Sequence, residues 1–198
     1  MKKTLLIITA ILIAHICFAQ ADTTKKAREV YNQEFKWRMT IPDGFENIAD
    51  NQYDQLQKVG SDALQKSTDQ KIDLTTKRIV SFKSTLSNLF DSNYQPYDTS
   101  TNGDFMANWK ATCDIMYNTL KQQFPQGTKL DSTISTETIS NLKFQSLKMQ
   151  AILPNNVQIT VQMFVRLFDK NQFTVSMLYV DKQKGDLMLN AWRNSKFE

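Results

Sequence analysis

Val157-Gln158-Ile159-Thr160-Val161-Gln162-Met163-Phe164-Val165-Arg166-Leu167, followed after Asp169-Lys170-Asn171-Gln172 by Phe173-Thr174-Val175-Ser176-Met177-Leu178-Tyr179-Val180, is the stretch whose reading decides the fold. Every odd position from 157 to 167 is apolar, and the even positions are mostly Gln, Thr and Arg, with Phe164 the exception. Alternation with period two predicts a strand with one buried face. The polar break reads as a hairpin loop, with Asn171 suited to a positive φ. Two strands so joined are marginal alone and need other elements to cover them.

On the C-terminal side, Leu187, Leu189 and Trp192 predict a final helix over residues 185–194. On the N-terminal side, Pro154-Asn155-Asn156 leads back to a strand over 144–153 with Leu147, Met149, Ala151 and Leu153 on one face. A Ser- and Thr-rich exposed strand precedes it over 129–138, with a turn at Asn141. Phe105, Trp109, Cys113, Met116, Leu120 and Phe124 recur at helical spacing behind Asp104, an N-cap residue, and Pro125-Gln126-Gly127 ends the run. Residues 84–103 show no period and read as an irregular loop. A short strand is expected over 77–84, a polar loop over 68–73, and a helix over 50–66 with Tyr53, Leu56, Val59, Ala63 and Leu64 near one side and weakened at Gly60. Phe35, Trp37, Met39 and Ile41 alternate with Lys36, Arg38 and Thr40, a strand ended by Pro42-Asp43-Gly44. These elements predict an α+β fold: a single antiparallel sheet of about five to six strands flanked by helices, with Trp37, Val161 and Val175 in one continuous layer.

The first residues have another character. Lys2 and Lys3 precede an apolar run from Leu5 to Phe18, and Ala19 and Ala21 offer cleavage registers. This is the pattern of a secretory signal peptide over residues 1–19, too short for a membrane span. Cys17 would suit a lipoprotein only with a small residue before it, and Ile16 stands there. The expected organisation is signal peptide 1–19, a flexible lead-in 20–33, and one domain over 34–198. Cleavage leaves 22 basic against 20 acidic residues, a formal excess of +2. No basic run longer than Lys25-Lys26 follows, so a nucleic-acid partner is not expected. The expected location is secreted or periplasmic, with no stable membrane span after cleavage.

The opening strand into Ile41-Pro42-Asp43-Gly44-Phe45, the helix from Asp104, the hairpin at Asp169-Lys170-Asn171 and the closing Ala191-Trp192-Arg193-Asn194-Ser195-Lys196-Phe197 together resemble the fold group named for the photosystem II extrinsic protein PsbP and a Ran-binding nuclear import factor. Secreted bacterial proteins of unknown role belong to that group. The resemblance implies a central antiparallel sheet between helices. It carries no functional motif to transfer residue by residue, and fold alone does not give function.

The chemistry-bearing residues are few. The only histidine, His15, lies in the signal peptide, which leaves no Ser-His-Asp or Cys-His arrangement and no histidine ligand for a metal. No Ser-x-x-Lys motif stands in a suitable setting, and Ser81-Phe82-Lys83-Ser84 reads as a strand, where a helix start is needed. Cys113 lies on the apolar stripe between Trp109 and Met116, as a structural thiol does. Asp98 to Gly103 resembles half a calcium loop, but its twelfth place holds Trp109 where a glutamate is required. A carboxylate pair can converge from distant positions, and none of Glu29, Glu34, Glu46, Glu137 and Glu198 stands out. Phe90, Tyr94 and Tyr97, in the irregular stretch, are the expected exposed aromatics and the candidate partner-binding residues. The reading is therefore an exported, non-enzymatic binding or accessory module that contacts a protein or envelope component, without catalytic residues, metal or cofactor. The alternatives are a carboxylate-based hydrolase and a structural accessory protein with no ligand.

Overall fold

The computed structural model describes residues 28–68 and 76–198. The expected signal peptide, its cleavage registers and most of the expected 68–73 loop lie outside these residues. The elements in chain order are β1 (Arg28–Asn32), β2 (Trp37–Ile41), β3 (Glu46–Asn47), α1 (Asp50–Thr68), β4 (Lys77–Thr85), β5 (Asn88–Pro96), α2 (Thr99–Asn102), α3 (Phe105–Gln123), β6 (Lys129–Ile139), β7 (Leu142–Ile152), β8 (Gln158–Phe168), β9 (Asn171–Tyr179), α4 (Lys182–Arg193) and β10 (Lys196–Phe197).

The fold class is α+β, but the strands form two sheets. Seven strands in the order β3-β4-β5-β9-β8-β7-β6 make a large antiparallel sheet, and β1-β2-β10 make a small one. Trp37 belongs to the small sheet and Val161 and Val175 to the large one, so the expected single layer is corrected to two packed face to face. The Trp37 and Phe173 rings meet across the gap, centroids 5.3 Å apart. Alternation in β2 buries Trp37, Met39 and Ile41 on one side. It reports a buried face and not which sheet the strand joins. Residues 28–32, expected in the flexible lead-in, are strand β1, paired with β2 from Arg28↔Ile41 to Asn32↔Trp37.

In the opening stretch, β8 and β9 pair from Thr160↔Tyr179 to Phe168↔Asn171 around the two-residue loop Asp169-Lys170. The positive φ falls on Asp169 (48°), not on Asn171, which already belongs to β9. Aspartate takes that conformation because its short side chain bonds locally. The expectation of one buried face is also corrected. β9 and β8 are the fourth and fifth of the seven strands, and both faces are covered. Val161, Met163 and Val165 pack beneath α1 and α3, while Phe164 points the other way, to Trp192 at 5.5 Å.

Two cores result. One, between the large sheet and the layer of α4 and the small sheet, holds Trp37, Phe82, Phe90, Phe144, Phe164, Phe173 and Trp192. The other, beneath α1 and α3, holds Leu56, Trp109, Cys113, Met116, Leu120, Leu147 and Met163. Asp104 caps α3 by accepting from the Ala107 N–H at 2.8 Å. α1 runs through Gly60 unbroken, with Tyr53 and Leu56 buried and Val59 exposed, so the expected stripe is narrower. α4 begins three residues before the expected start because Asp181 accepts from the N–H groups of Gln183 and Lys184. Gly185 lets α4 sit on β9: a Cβ there would fall 2.4 Å from the Tyr179 ring.

Candidate functional site

Residues 84–103 are not an irregular loop. They hold the end of β4, the whole of β5, which lies between β4 and β9 in the large sheet, and then α2. The exposure expected of the three aromatics is corrected with it. Phe90 is 0% exposed and lies flat on Phe82, centroids 4.6 Å apart and planes 5° apart. Tyr97 is 4% exposed; its hydroxyl donates to the Gly103 carbonyl at 3.0 Å and accepts from Asn108 Nδ2 at 2.6 Å. Tyr94 is half-buried, edge-on to Phe35 at 5.1 Å with Lys77 Nζ 5.7 Å from its ring centre. The three do not form one surface, since Phe90 and Tyr94 pack in the core of the small-sheet side and Tyr97 packs on Phe105.

The opposite face of β5 carries Leu89, Asp91, Asn93 and Gln95. Cross-strand partners project to the same side of a sheet, so the register assembles polar rows. Ser81, Asp91 and Ser176 form one row across β4, β5 and β9; Arg78, Asn93 and Thr174 form the next; Gln95 and Gln172 form the third. All project to the face shared with Leu89 and Leu178.

At the centre, Asp91 accepts from Ser81 Oγ at 2.5 Å through Oδ1 and from Asn93 Nδ2 at 2.7 Å through Oδ2. The Tyr53 hydroxyl, from α1, accepts from Gln57 Nε2 at 2.8 Å and is near enough to feel the Asp91 charge. Burial pushes the Asp91 carboxyl above the usual aspartate range, against the opposing pull of these bonds and of the Arg78 charge. The Tyr53 phenol is raised by burial first and then by the Asp91 charge. Arg78 lies over the Tyr53 ring, 4.5 Å from its centre, donates to Ser81 Oγ at 3.0 Å and to Asp50 at 2.9 Å, and reaches the Ile48 carbonyl. The cluster thus holds one buried carboxylate and one guanidinium. Asp50, on the far side of Arg78, is fully exposed, so the two acids do not face each other as a catalytic pair.

Not every polar group here is satisfied. Gln95 Oε1, Gln172 Nε2 and Ser176 Oγ are buried without a hydrogen-bond partner, as is Trp109 Nε1 on α3. Sequence reading missed this patch because Asp, Asn and Gln in a strand read as loop chemistry. The signal was the alternation Leu89, Asp91, Asn93, Gln95 against Phe90, Ser92, Tyr94.

Elsewhere, Cys113 is free and buried, its thiol pushed up to about 12 by burial and then by the Asp114 charge, which makes it unreactive. Asp98 caps α2, accepting from Ser100 N and Oγ at 2.9 and 2.7 Å. Among the described residues no group of three or more Cys, His, Asp or Glu is placed to hold a metal ion, and no helix is long and apolar enough to cross a membrane.

The two edges of the large sheet differ. One is the two-residue strand β3; the other is β6, eleven residues long. The Ser140-Asn141 turn, with φ of 49° and 65°, is a two-residue hairpin closed by Ile139↔Leu142, so the odd residues of β6 exchange hydrogen bonds with β7. The N–H and C=O groups of Leu130, Ser132, Ile134, Thr136 and Thr138 point outward. Asp131 Oδ1 takes the Ser132 N–H at 2.8 Å, and the others have no partner among the described residues. Both faces are bare from Asp131 to Thr136, and Ile134 is 52% exposed.

An antiparallel sheet between a helical layer and a second layer of α4 with a small sheet is a PsbP-like fold. The solution structure of cyanobacterial PsbP (CyanoP) from Synechocystis sp. PCC 6803 is similar to this chain with a TM-score of 0.55 and 7% sequence identity, over 93% of this chain and 98% of that one. No protein-family model matches the sequence, and no curated protein matches it. At this identity the likeness shows the fold alone.

Proposed function

We propose that the protein is an exported, non-enzymatic binding module that meets a partner protein by strand addition at the outer edge of β6. The bare eleven-residue edge carries this reading. Unpaired strand edges are templates for another chain, and proteins usually blunt them with proline, inward charges or a covering loop. β6 has no proline, and its central residues 132–136 are uncharged. An extended segment would gain main-chain hydrogen bonds along the even positions, with Ile134 offering an apolar contact beside them. Export is supported by the N-terminal sequence pattern, and the absence of a catalytic role by the lone, internally bonded Asp91.

The test uses proline, which deletes one donor. At Ser132 or Ile134 it removes an outward N–H that the sheet does not use; at Thr133 it removes a bond to β7. A protein captured from an envelope extract by the wild type should be lost with Ser132→Pro and Ile134→Pro, each keeping a melting temperature close to the parent's, whereas Thr133→Pro lowers it. Capture that survives both outward prolines rejects the reading. A wild type that dimerises through β6, and becomes monomeric with Ser132→Pro, would replace the foreign partner with a second copy. A hydrolytic activity abolished by Asp91→Asn would replace binding with catalysis.

A further inference from the structure

We infer that the strand β6 accepts is a short extended segment of alternating apolar and polar residues, run antiparallel, with a lysine or arginine opposite Asp131. This rests on strand addition at that edge and names the chemistry of the partner.

The two faces beside the edge differ, and an added strand would continue each. The even residues of β6 project to the α3 side: Leu130, Ser132 and Ile134 stand opposite Ala151, Met149 and Leu147, all three buried. Leu130 packs on that core, as does Phe124, the C-cap of α3. Ile134 lies in the same row but is half exposed, so its apolar surface has no cover. In an antiparallel addition, the residues that share hydrogen bonds with Ser132, Ile134 and Thr136 send their side chains to this face. Apolar side chains there would carry the core one strand further, whereas polar ones would leave Ile134 uncovered.

The odd residues face the other way, to the side where Ile139 joins the small-sheet core. From 131 to 137 this row is Asp131, Thr133, Ser135 and Glu137. It holds two carboxylates, and one is already answered: Glu137 accepts from Arg193 Nε at 2.5 Å and Nη2 at 3.2 Å. Asp131 has no cation within ion-pair distance among the described residues. Its Oδ1 instead takes the Ser132 N–H, which an incoming carbonyl needs. A neutral segment therefore meets one rung of the ladder already occupied. A cationic side chain directly opposite draws the carboxylate off that N–H and pairs with it. The residue that closes the edge to one class of strand thus opens it to another. Lys129 stands two residues further out, beyond a segment that covers 131–137, so Asp131 is the charge such a segment meets.

The probes are two synthetic peptides, Thr-Val-Thr-Val-Thr-Val-Lys and the same chain ending in Thr, blocked at both ends and titrated by NMR at concentrations where both stay monomeric. Aligned antiparallel on residues 131–137, each sets its valines beside Ser132, Ile134 and Thr136 and its last residue opposite Asp131. The lysine peptide should bind roughly two- to fivefold more tightly, a margin that closes in Asp131→Ala and at high salt. Ile134→Ser should weaken both peptides roughly three- to tenfold. Both sites are exposed, so neither variant should move the melting temperature. Equal affinities for the wild type, or a margin that survives Asp131→Ala, overturn the inference and leave strand addition standing. A peptide with the lysine first that binds more tightly overturns the antiparallel direction. Binding by neither peptide, or binding undiminished by Ser132→Pro, overturns strand addition itself, and the inference falls with it.

Discussion

Phe90 presses its full ring on Phe82 with no exposed surface, so Phe90→Ala should cost about 3–5 kcal/mol, read as a fall in the denaturant midpoint. A contact residue on the surface would instead leave that midpoint unmoved. Asp91 makes a prediction in pH. Its folded carboxyl holds the proton to higher pH than the unfolded chain does. Its contribution to stability is therefore complete below the ordinary aspartate value and declines as pH rises from there through the raised folded value. Stability measured by denaturation across that window should fall with rising pH relative to Asp91→Asn, in which the group cannot titrate; a difference that grows with pH would refute the sign. Asp91 and the glutamines were illegible in the sequence for one reason. A polar residue in a strand looks like a turn unless its partners on other strands are known, and Ser81 and Ser176 lie 10 and 85 positions away. Cys113 was legible because its partners recur at helical spacing on its own element.

At the scale of elements, β8, β9 and α3 could be read because each carries its period within itself. β5 could not, since its Leu89–Gln95 stretch alternates two mixed sets of residues and neither is uniformly apolar. α4 was placed late because Asp181 was not taken as its cap. That helix has a sharper dependence. Gly185 rests where any Cβ would enter the Tyr179 ring close to its root, and Tyr179 is held by pairing to both Asn88 and Thr160. Gly185→Ala should lower unfolding free energy by about 1–3 kcal/mol in chemical denaturation, despite alanine's better helix propensity. A stabilised variant would show that α4 can shift at no cost.

For the whole molecule, the number of layers was the feature that alternation could not report, because a strand with one buried face looks the same in either sheet. Phe164 was the one letter that betrayed cover on both sides of β8. Since the large sheet is the wall of both cores, neither can dissolve and leave the other intact. Variants retaining only Trp109, or only Trp37 and Trp192, should therefore give coincident thermal unfolding curves by fluorescence, although the probes sit on opposite sides of the sheet. Separate midpoints would mean that the small sheet with α4 opens on its own.

The small sheet also sets an order of events. β2 takes its second neighbour from β10, through Arg38↔Lys196 and Trp37↔Phe197, so an early segment waits for one translated 158 residues after Arg38. Phe197 then stacks on Trp37 and Phe168. A nascent polypeptide appearing N-terminus first shows the Trp37 side long before the residues that shut it exist. That side stays ajar until β10 has been made, which makes chaperone shelter most valuable in that interval.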